Sequence, residues 1–272
     1  MSDSNQVIVF GAFDDIKSAD LRFLWEAAKL GELTVLLWPD AMIEQHAGHL
    51  PKFPLAERQY FLEAVRYVKQ VVVIAGDANP NDLPDGINAA IWADEPRTAN
   101  PVRRANAAAR GIAYREFGSA ELAGFPELPE QPTAPGRKKV VATGCYDWFH
   151  SGHVRFTEEA SAYGDLYVCL GSDANVRQLK GDGHPLLSQD ERRFVVGSIR
   201  HVHQALINSG FGWLDADPEI RRLKPDYYVV NEDGDKGGKR EYCAEMGIEY
   251  VVLQRTPAPG LKARSSTDLR GF

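Results

Sequence analysis

Two histidines, His150 and His153, stand three residues apart where a strand-like segment gives way to a helical pattern. Residues 139–143 are largely apolar and β-branched and end at Gly144, which is typical of a buried strand before a turn. A helical pattern follows from about Gly152. The histidines therefore lie near a helix N-terminus, where unpaired N–H groups and the helix dipole favour an anion. Two imidazoles beside such a site indicate phosphate chemistry.

The composition is that of a globular protein from a reducing compartment. Of 272 residues, 44% are hydrophobic and 25% are charged, and this length suits one large domain or two modest ones, at ~100–200 residues per domain. The net charge of −7 argues against nonspecific binding to nucleic acid or membranes. Three cysteines without a CxxC pair predict no disulfide framework. Without a signal-peptide pattern or an apolar run of ~20 residues, we expect a cytoplasmic protein with no membrane segment.

The chain repeats itself. Residues 7–41 align without gaps on residues 140–174, at an offset of 133. The identical pairs include Gly11 and Gly144, Asp14 and Asp147, Ser18 and Ser151, Arg22 and Arg155, and Phe23 and Phe156. One residue of drift later, Arg58 matches Arg192. Such an ordered series of matches predicts a tandem duplication of one fold.

Each half alternates short apolar segments with helical patterns, which predicts an α/β fold with two tandem Rossmann-like parallel sheets. The predicted strands are residues 6–10, 33–37, 70–74, 88–92 and 112–116, then 139–143, 166–171, 204–208, 226–230 and 249–253. The predicted helices of the second half are residues 152–163, 188–201, 217–223 and 236–246. We expect domains at 1–117 and 138–272, joined by a proline-rich linker at 118–137.

The histidine segment resembles a family signature. Residues 144–147 (GCYD) followed by 150–153 (HSGH) are similar to the GxFD…HxGH signature of the cytidylyltransferase-like nucleotidyltransferases. Other segments also fall where that family places phosphate-binding residues: Lys180-Gly181-Asp182, Glu191-Arg192, Ser198-Ile199-Arg200, Arg255-Thr256 and Arg264-Ser265-Ser266-Thr267. The pattern is similar to glycerol-3-phosphate and ethanolamine-phosphate cytidylyltransferases and to heptose-phosphate adenylyltransferases.

The resemblance implies two nucleotidyltransferase domains of which the second transfers CMP or AMP to a phosphorylated small molecule and releases pyrophosphate. His150, His153 and Lys180 would be catalytic, by donating to the phosphoryl oxygens. The expected nucleotide-binding residues are Gly144, Tyr146, Asp147, Gly152, Arg192, Arg200, Asn231, Asp233, Arg255, Arg264, Ser265, Ser266 and Thr267. Mg²⁺ would be carried by the phosphates of CTP or ATP rather than by a protein metal site. The acceptor would be a phospho-alcohol or a sugar phosphate.

Other interpretations stay open for single residues. The histidine pair could bind zinc, although no cysteine or carboxylate cluster completes a ligand set. Asp147 could cap the turn, Lys180 could be an ordinary loop lysine, and residues 265–267 could form a helix N-cap. A nucleotide-binding sensor without turnover is the alternative from another functional class.

The identity of the nucleotide is also open. Arg255-Thr256 and the tandem organisation favour CTP marginally, whereas residues 179–185 (LKGDGHP) resemble the adenylyltransferases, which favour ATP. Residues 231–235 (NEDGD) stand where the cytidylyltransferases have a shorter GDD or HDD segment.

The first half lacks the histidines. Lys17 and Asp20 stand at the positions of His150 and His153, and an aspartate there would repel phosphate. An HxGH string does occur at 46–49, but no GxFD turn precedes it, and we interpret it as coincidence. We therefore expect a catalytically silent half that forms an intramolecular pseudo-dimer with the active one. A homodimer is compatible with the same pattern.

Overall fold

The computed structural model describes residues 5–265. The chain divides into two compact units, Met1–Gly124 and Phe125–Phe272. Each unit contains a five-stranded sheet in which every strand pair is parallel. The predicted α/β class with two parallel sheets is therefore confirmed.

The first unit has the strand order β3-β2-β1-β4-β5. Its strands are β1 (Gln6–Gly11), β2 (Glu32–Leu37), β3 (Val68–Val73), β4 (Ile91–Asp94) and β5 (Ala113–Glu116). Its helices are α1 (Ser18–Ala28), α2 (Asp40–Ala47), α3 (Leu55–Ala64) and α4 (Pro101–Ala109).

The second unit has the strand order β10-β9-β6-β7-β8. Its strands are β6 (Lys139–Gly144), β7 (Asp165–Leu170), β8 (Val202–Ile207), β9 (Tyr227–Asn231) and β10 (Glu249–Leu253). Its helices are α5 (Ser151–Ser161), α6 (Asp173–Lys180), α7 (Gln189–Gly197), α8 (Asp217–Leu223) and α9 (Lys239–Met246). Numbered within its own unit, each sheet has the Rossmann order 3-2-1-4-5, as the internal repeat requires.

The turn after the first strand is built in the same way in both units. Phe13 and Tyr146, at equivalent positions, have left-handed φ angles of 46° and 53°. Asp14 then accepts backbone N–H bonds from Lys52 and Phe53. Asp147 likewise accepts from the N–H groups of residues 186 and 187. The conformation of the turn is thus a property of the fold, independent of the histidines.

The central strands are buried on both faces because helices cover each parallel sheet. All six residues of β7 are buried, as are Val140, Val141 and Ala142 in β6. The apolar face predicted for α5 is confirmed, since Val154, Phe156 and Ala160 are buried. Within residues 5–265, no helix combines the length and the apolar character needed to cross a membrane.

The unit boundary falls inside the segment predicted to be a linker. The structure divides the chain after Gly124, and the residues that follow contact the second unit. The Phe125 ring lies 5.7 Å from the Phe194 ring, and the Tyr167 hydroxyl donates to Glu130 at 2.9 Å. Phe125 therefore packs on α7, an interaction that proline content alone does not reveal.

Candidate active site

A pocket of about 180 Å³ opens at the carboxyl edge of the second sheet, between β6 and β9. One wall is the turn from β6 into α5, and the other is the segment from β9 into α9. The lining residues that matter for binding are Gly144, Tyr146, His150, Gly152, His153, Asn231, Asp233, Lys239 and Arg255. Ligands of open parallel sheets bind at this edge.

Gly144 allows the turn to close. A Cβ atom at this position would lie 2.7 Å from Cε2 of Tyr146, closer than non-bonded carbon atoms approach. The left-handed conformation of Tyr146 folds its ring back over the end of β6. The following residues are thereby directed to His150, the N-cap residue of α5.

The two histidines cap α5 with the same ring nitrogen. The Gly152 N–H donates to Nδ1 of His150 at 3.1 Å, and the His150 N–H donates to Nδ1 of His153 at 3.3 Å. The ring centroids are 4.0 Å apart. Because each Nδ1 accepts a hydrogen bond, each neutral ring carries its proton on Nε2. The caps therefore fix the tautomer that makes both Nε2–H groups donors.

The environment keeps both rings neutral. Burial lowers the pKa of His150 to about 4, assisted by the charges of Arg255 and Arg264. Burial also lowers the pKa of His153 well below its usual value, with smaller contributions from His150, Arg255 and Lys180. His150 is only 4% exposed, and its Nε2 has no hydrogen-bond partner among the described residues. A buried donor without a partner is costly, and a phosphoryl oxygen in the pocket would satisfy it.

Gly152 leaves room for the first histidine. A Cβ atom here would come within 2.9 Å of Cε1 and 3.0 Å of Nδ1 of His150. It would also lie 3.5 Å from the Arg264 carbonyl oxygen. The glycine of the HxGH motif therefore permits the N-cap geometry as well as close approach of a ligand.

The opposite wall carries polar and charged groups. Arg255 forms an ion pair with Asp233 at 2.5 Å and donates to the Arg264 carbonyl at 2.9 Å. Asn231 lines the pocket, and its Oδ1 is buried without a partner in the part of the chain that the structure describes. The predicted residues of this wall are thus brought to the histidines.

Three predicted residues lie at or beyond the end of the described chain. Ser265 is the last described residue, while Ser266 and Thr267 lie outside the described residues. Arg264 lines a small neighbouring cavity together with Gly152 and Arg255. Its position supports the expected approach of this segment to the N-terminus of α5.

The second unit is similar in sequence to known proteins. Residues 141–272 match the family model described as cytidylyltransferase-like. The second unit is a cytidylyltransferase-like domain. "Bifunctional protein HldE" of Wolinella succinogenes is 38% identical over 129 residues, which is 47% of this chain and 26% of that protein. HldE of Geobacter sulfurreducens is 42% identical over 122 residues, or 43% of this chain and 22% of that protein. The chain therefore spans about a quarter of the length of these curated relatives.

One expected nucleotide ligand of the cytidylyltransferase-like domain has a different role. The Arg192 side chain is fully buried and donates to the carbonyl oxygens of Leu187, Cys145 and Gly171 and to Asp173. Its equivalent Arg58 donates in the same way to three carbonyl oxygens and to Asp40. Because the guanidinium is enclosed and bonded to the chain, the expectation that Arg192 binds the nucleotide is wrong. Arg192 holds together the loops at the edge of the sheet.

Arg200 and Asp147 also differ from the expected binding role. Arg200 lies in the turn before β8, hence at the amino edge of the sheet and away from the pocket. Asp147 is 6% exposed, and its oxygens accept from the Leu186 and Leu187 N–H groups and contact Nδ1 of His184 at 3.0 Å. Asp147 therefore positions the 184–187 loop, which agrees with the alternative interpretation that it caps the turn.

Lys180 remains near the site without lining the pocket. It is the last residue of α6, is exposed, and lies close enough for its charge to lower the pKa of His153. A long flexible lysine at this place can reach a bound phosphate. Its catalytic role stays a prediction.

One residue of the site and one residue beside it have no counterpart in the sequence expectations. Lys239 lines the pocket at the start of α9, and Trp213 lies against Gly238, which precedes it. Trp213 is 57% exposed. Neither residue belongs to a recognisable motif, so only the basic run 236–240 (KGGKR) could have drawn attention to this helix start.

The first unit preserves the cap and lacks the donors. The Lys17 N–H donates to Asp20 at 2.7 Å, as the His150 N–H does to His153. Asp20 is also paired with Arg97 at 2.6 Å. A cavity of about 330 Å³ opens at this edge, but Asp20 takes the place of His153, and Lys17, in the place of His150, is paired with Asp15 at 2.7 Å. Among the described residues, no cluster of three or more histidine, cysteine or carboxylate side chains could hold a metal ion.

Proposed function

We propose that the cytidylyltransferase-like domain transfers a nucleotidyl group from a nucleoside triphosphate to a sugar phosphate and releases pyrophosphate. The observation that carries the proposal is the pair of neutral imidazoles that line the pocket at the N-terminus of α5, with both Nδ1 atoms bonded to backbone N–H groups and the Nε2 of His150 without a partner among the described residues. The family match of residues 141–272 supports the same reaction class.

In the proposed reaction, an oxygen of the acceptor phosphate attacks the α-phosphorus, and the bond to the β-phosphate breaks with its electron pair leaving on pyrophosphate. Negative charge grows on the α-phosphoryl oxygens in the transition state. His150 and His153 donate hydrogen bonds to these oxygens, which is where preorganised donors have the largest effect. An ionised phosphate acceptor needs no general base, so both imidazoles can act without changing protonation state.

The triphosphate would approach the N-terminus of α5 from the side of Arg255 and Arg264. These residues and Gly152 line one cavity, and the positive end of the helix dipole favours phosphate. Arg255 would exchange its Asp233 partner for a phosphate oxygen. Lys180 and residues 265–267 would complete the contacts to the β- and γ-phosphates, and Mg²⁺ would arrive with the nucleotide.

We favour ATP and a sugar phosphate as the substrates. Residues 179–185 resemble the heptose-phosphate adenylyltransferases, and the relatives reported above are named HldE proteins rather than cytidylyltransferases. The marginal preference for CTP rests on Arg255-Thr256 and the tandem organisation. Since Arg255 is paired with acidic Asp233, a contact that the resemblance did not include, it is weak support for CTP.

A pyrophosphate-release assay tests the function. ATP and CTP are each combined with Mg²⁺ and with hexose 1-phosphates, heptose phosphates or glycerol 3-phosphate. We expect release that depends on both substrates, fastest with ATP and a sugar phosphate. Tight nucleotide binding without product from any acceptor would instead support the nucleotide sensor.

A further inference from the structure

Lys239 brings a positive charge into the pocket that the protein does not neutralise. Its Nζ donates to the Gly234 carbonyl oxygen at 2.7 Å, and the residue is half-buried in the same cavity as His150 and His153. An ammonium group has three N–H donors, so two remain for a ligand. Within residues 5–265, no carboxylate lies within ion-pair distance of Lys239.

A half-buried ammonium without a counter-ion is unfavourable unless a ligand supplies the opposite charge. Burial lowers the pKa of Lys239, Asp235 and Cys243 raise it, and the charge of Lys236 lowers it further. Asp235 is itself paired with Arg240 at 2.6 Å. An anion bound beside Lys239 would therefore stabilise its ammonium group in the pocket.

Resting on the proposed function, we propose that Lys239 binds the phosphate group of the acceptor. The guanidinium of Arg255 on the same wall is bonded to Asp233 and to the Arg264 carbonyl oxygen. It lies beside the N-terminus of α5, where we propose that the triphosphate binds. Lys239 does not line that cavity and adjoins Gly238 and Trp213 instead. In-line transfer requires the attacking and leaving oxygens on opposite sides of the α-phosphorus, which places the acceptor phosphate on the Lys239 side.

The first unit supplies an internal comparison. The pairing of β4 and β9 with the first strand of each unit makes Ile91 equivalent to Tyr227, and the same offset of 136 makes Arg103 of α4 equivalent to Lys239. Arg103 is buried and paired with Asp94 at 2.8 Å. The first unit therefore neutralises the cation at this position itself, whereas Lys239 has no such partner among the described residues.

The test compares Lys239→Gln and Lys239→Arg with Lys236→Gln as a matched control, because Lys236 is an exposed lysine of the same loop. With the best acceptor of the pyrophosphate assay, K239Q should raise the acceptor KM about tenfold or more, the loss expected for a hydrogen bond to a charged group. The Kd of the nucleotide alone should change less than about twofold. K239R should restore most of the acceptor affinity, and K236Q should behave as wild type.

The pH dependence gives a second measurement. Because the pKa of Lys239 is lowered, the acceptor KM of the wild type should rise on the alkaline side before ordinary lysines lose their proton. K239R should remove this rise. An unchanged KM in K239Q, a loss of nucleotide affinity instead, or an equal effect of K236Q would overturn the assignment.

Failure of the proposed function would be seen separately, as a wild type that transfers to no acceptor. Inorganic phosphate is then the probe, titrated by NMR into the protein saturated with ATP. Weaker phosphate binding in K239Q than in wild type and K236Q would uphold the Lys239 site. Equal binding in all three, or none in the wild type, would overturn it.

Discussion

The position of two protons determines what the histidines can do. Backbone N–H groups occupy Nδ1 of both His150 and His153, so a second proton on either ring would break a cap of α5. The structure therefore favours imidazole over imidazolium at this site. Catalysis by hydrogen bonding to a charged phosphoryl group is compatible with neutral rings, since charge-assisted hydrogen bonds need only one ionised partner.

Removing either donor should lower kcat without unfolding the domain. We expect His153→Ala to lower kcat by about 10²–10³-fold, the usual effect of losing one transition-state donor. His150→Asn is the cleaner change at the N-cap, since asparagine caps helices well but cannot place an N–H where Nε2 lies. Steady-state kinetics measure the loss, with thermal unfolding as the folding control. Near-normal kcat in both variants would refute the assigned role.

The rate should not depend on histidine ionisation near neutral pH. With a pKa of about 4 for His150 and a strongly lowered one for His153, both rings stay neutral well below pH 6.5. We expect kcat to be flat from about pH 6 to 8 and to fall only as pH approaches the lowered values. If the imidazolium were the active form, kcat would decrease as pH rises through ~6.5.

The lowered pKa of His150 also makes the stability of the protein depend on pH, because the unfolded chain binds a proton that the folded chain does not. An unfolded histidine titrates near 6.5, so below that pH the unfolded chain binds protons that folded His150 does not. The free energy of unfolding should therefore decrease as pH falls from about 6.5 towards 4. Denaturant titrations across this range should show a shallower decrease for His150→Asn.

Only part of the site could be predicted residue by residue. His150, Gly152, His153 and Gly144 belong to one contiguous motif, so their proximity follows from a strand, a turn and a helix start. Arg192 could not be assigned, because its burial depends on how three separate loops converge.

Lys239 could not be predicted for a related reason. It lies 86 residues after His153 and reaches the pocket only because β9 is placed next to β6 in the sheet.

At the scale of secondary structure, the start of helix α5 depends on Gly152, which has no side chain. Gly152→Ala suits the helical backbone but would place Cβ within 2.9 Å of the His150 ring. We expect the ring to shift and kcat to fall about 10- to 100-fold, as small misplacements of catalytic groups do, with little change in unfolding temperature. Gly197→Ala is not a suitable control because Leu128 is close to it. Gly181 is unsuitable as well because its φ is positive.

The loops at the edge of the sheet depend on Arg192 instead. Arg192→Met should lower the free energy of unfolding of the second unit by about 2–5 kcal/mol, since it leaves three carbonyl oxygens without their buried donor. The matched control is Arg177→Met, which changes an exposed arginine on α6. Denaturant titration distinguishes the two, and equal stability of both variants would contradict the bridging role.

The strands were predictable because each contains a short run of apolar residues, many of them β-branched. Each predicted strand overlaps an observed one. Helix α6 was not predicted, since residues 173–180 contain few apolar residues and only Asn175 and Val176 are buried. Its start rests on the Ser172 cap, whose hydroxyl accepts from the Asn175 N–H. The predicted helix 188–201 ends at Gly197, where the chain turns into β8.

At the scale of the whole molecule, the duplication separates fold from chemistry. Both units keep the strand order, the left-handed residue after the first strand and the buried arginine. Only the second combines paired imidazoles with Arg255 and Lys239 at its pocket. We propose that the first unit is catalytically silent, because Asp20 is paired with Arg97 where phosphate would need a donor.

The duplication also provides the most direct test of the central proposal, nucleotidyl transfer by the neutral histidine pair. Full-length wild type, His153→Ala and Asp20→Ala are each incubated with Mg²⁺, ATP or CTP labelled at the α-phosphorus, and a hexose or heptose phosphate. We predict label transfer to the acceptor by wild type and, within about twofold, by D20A, but about 10²–10³-fold slower transfer by H153A. Equal transfer by H153A and wild type, or loss of transfer in D20A alone, would contradict the account.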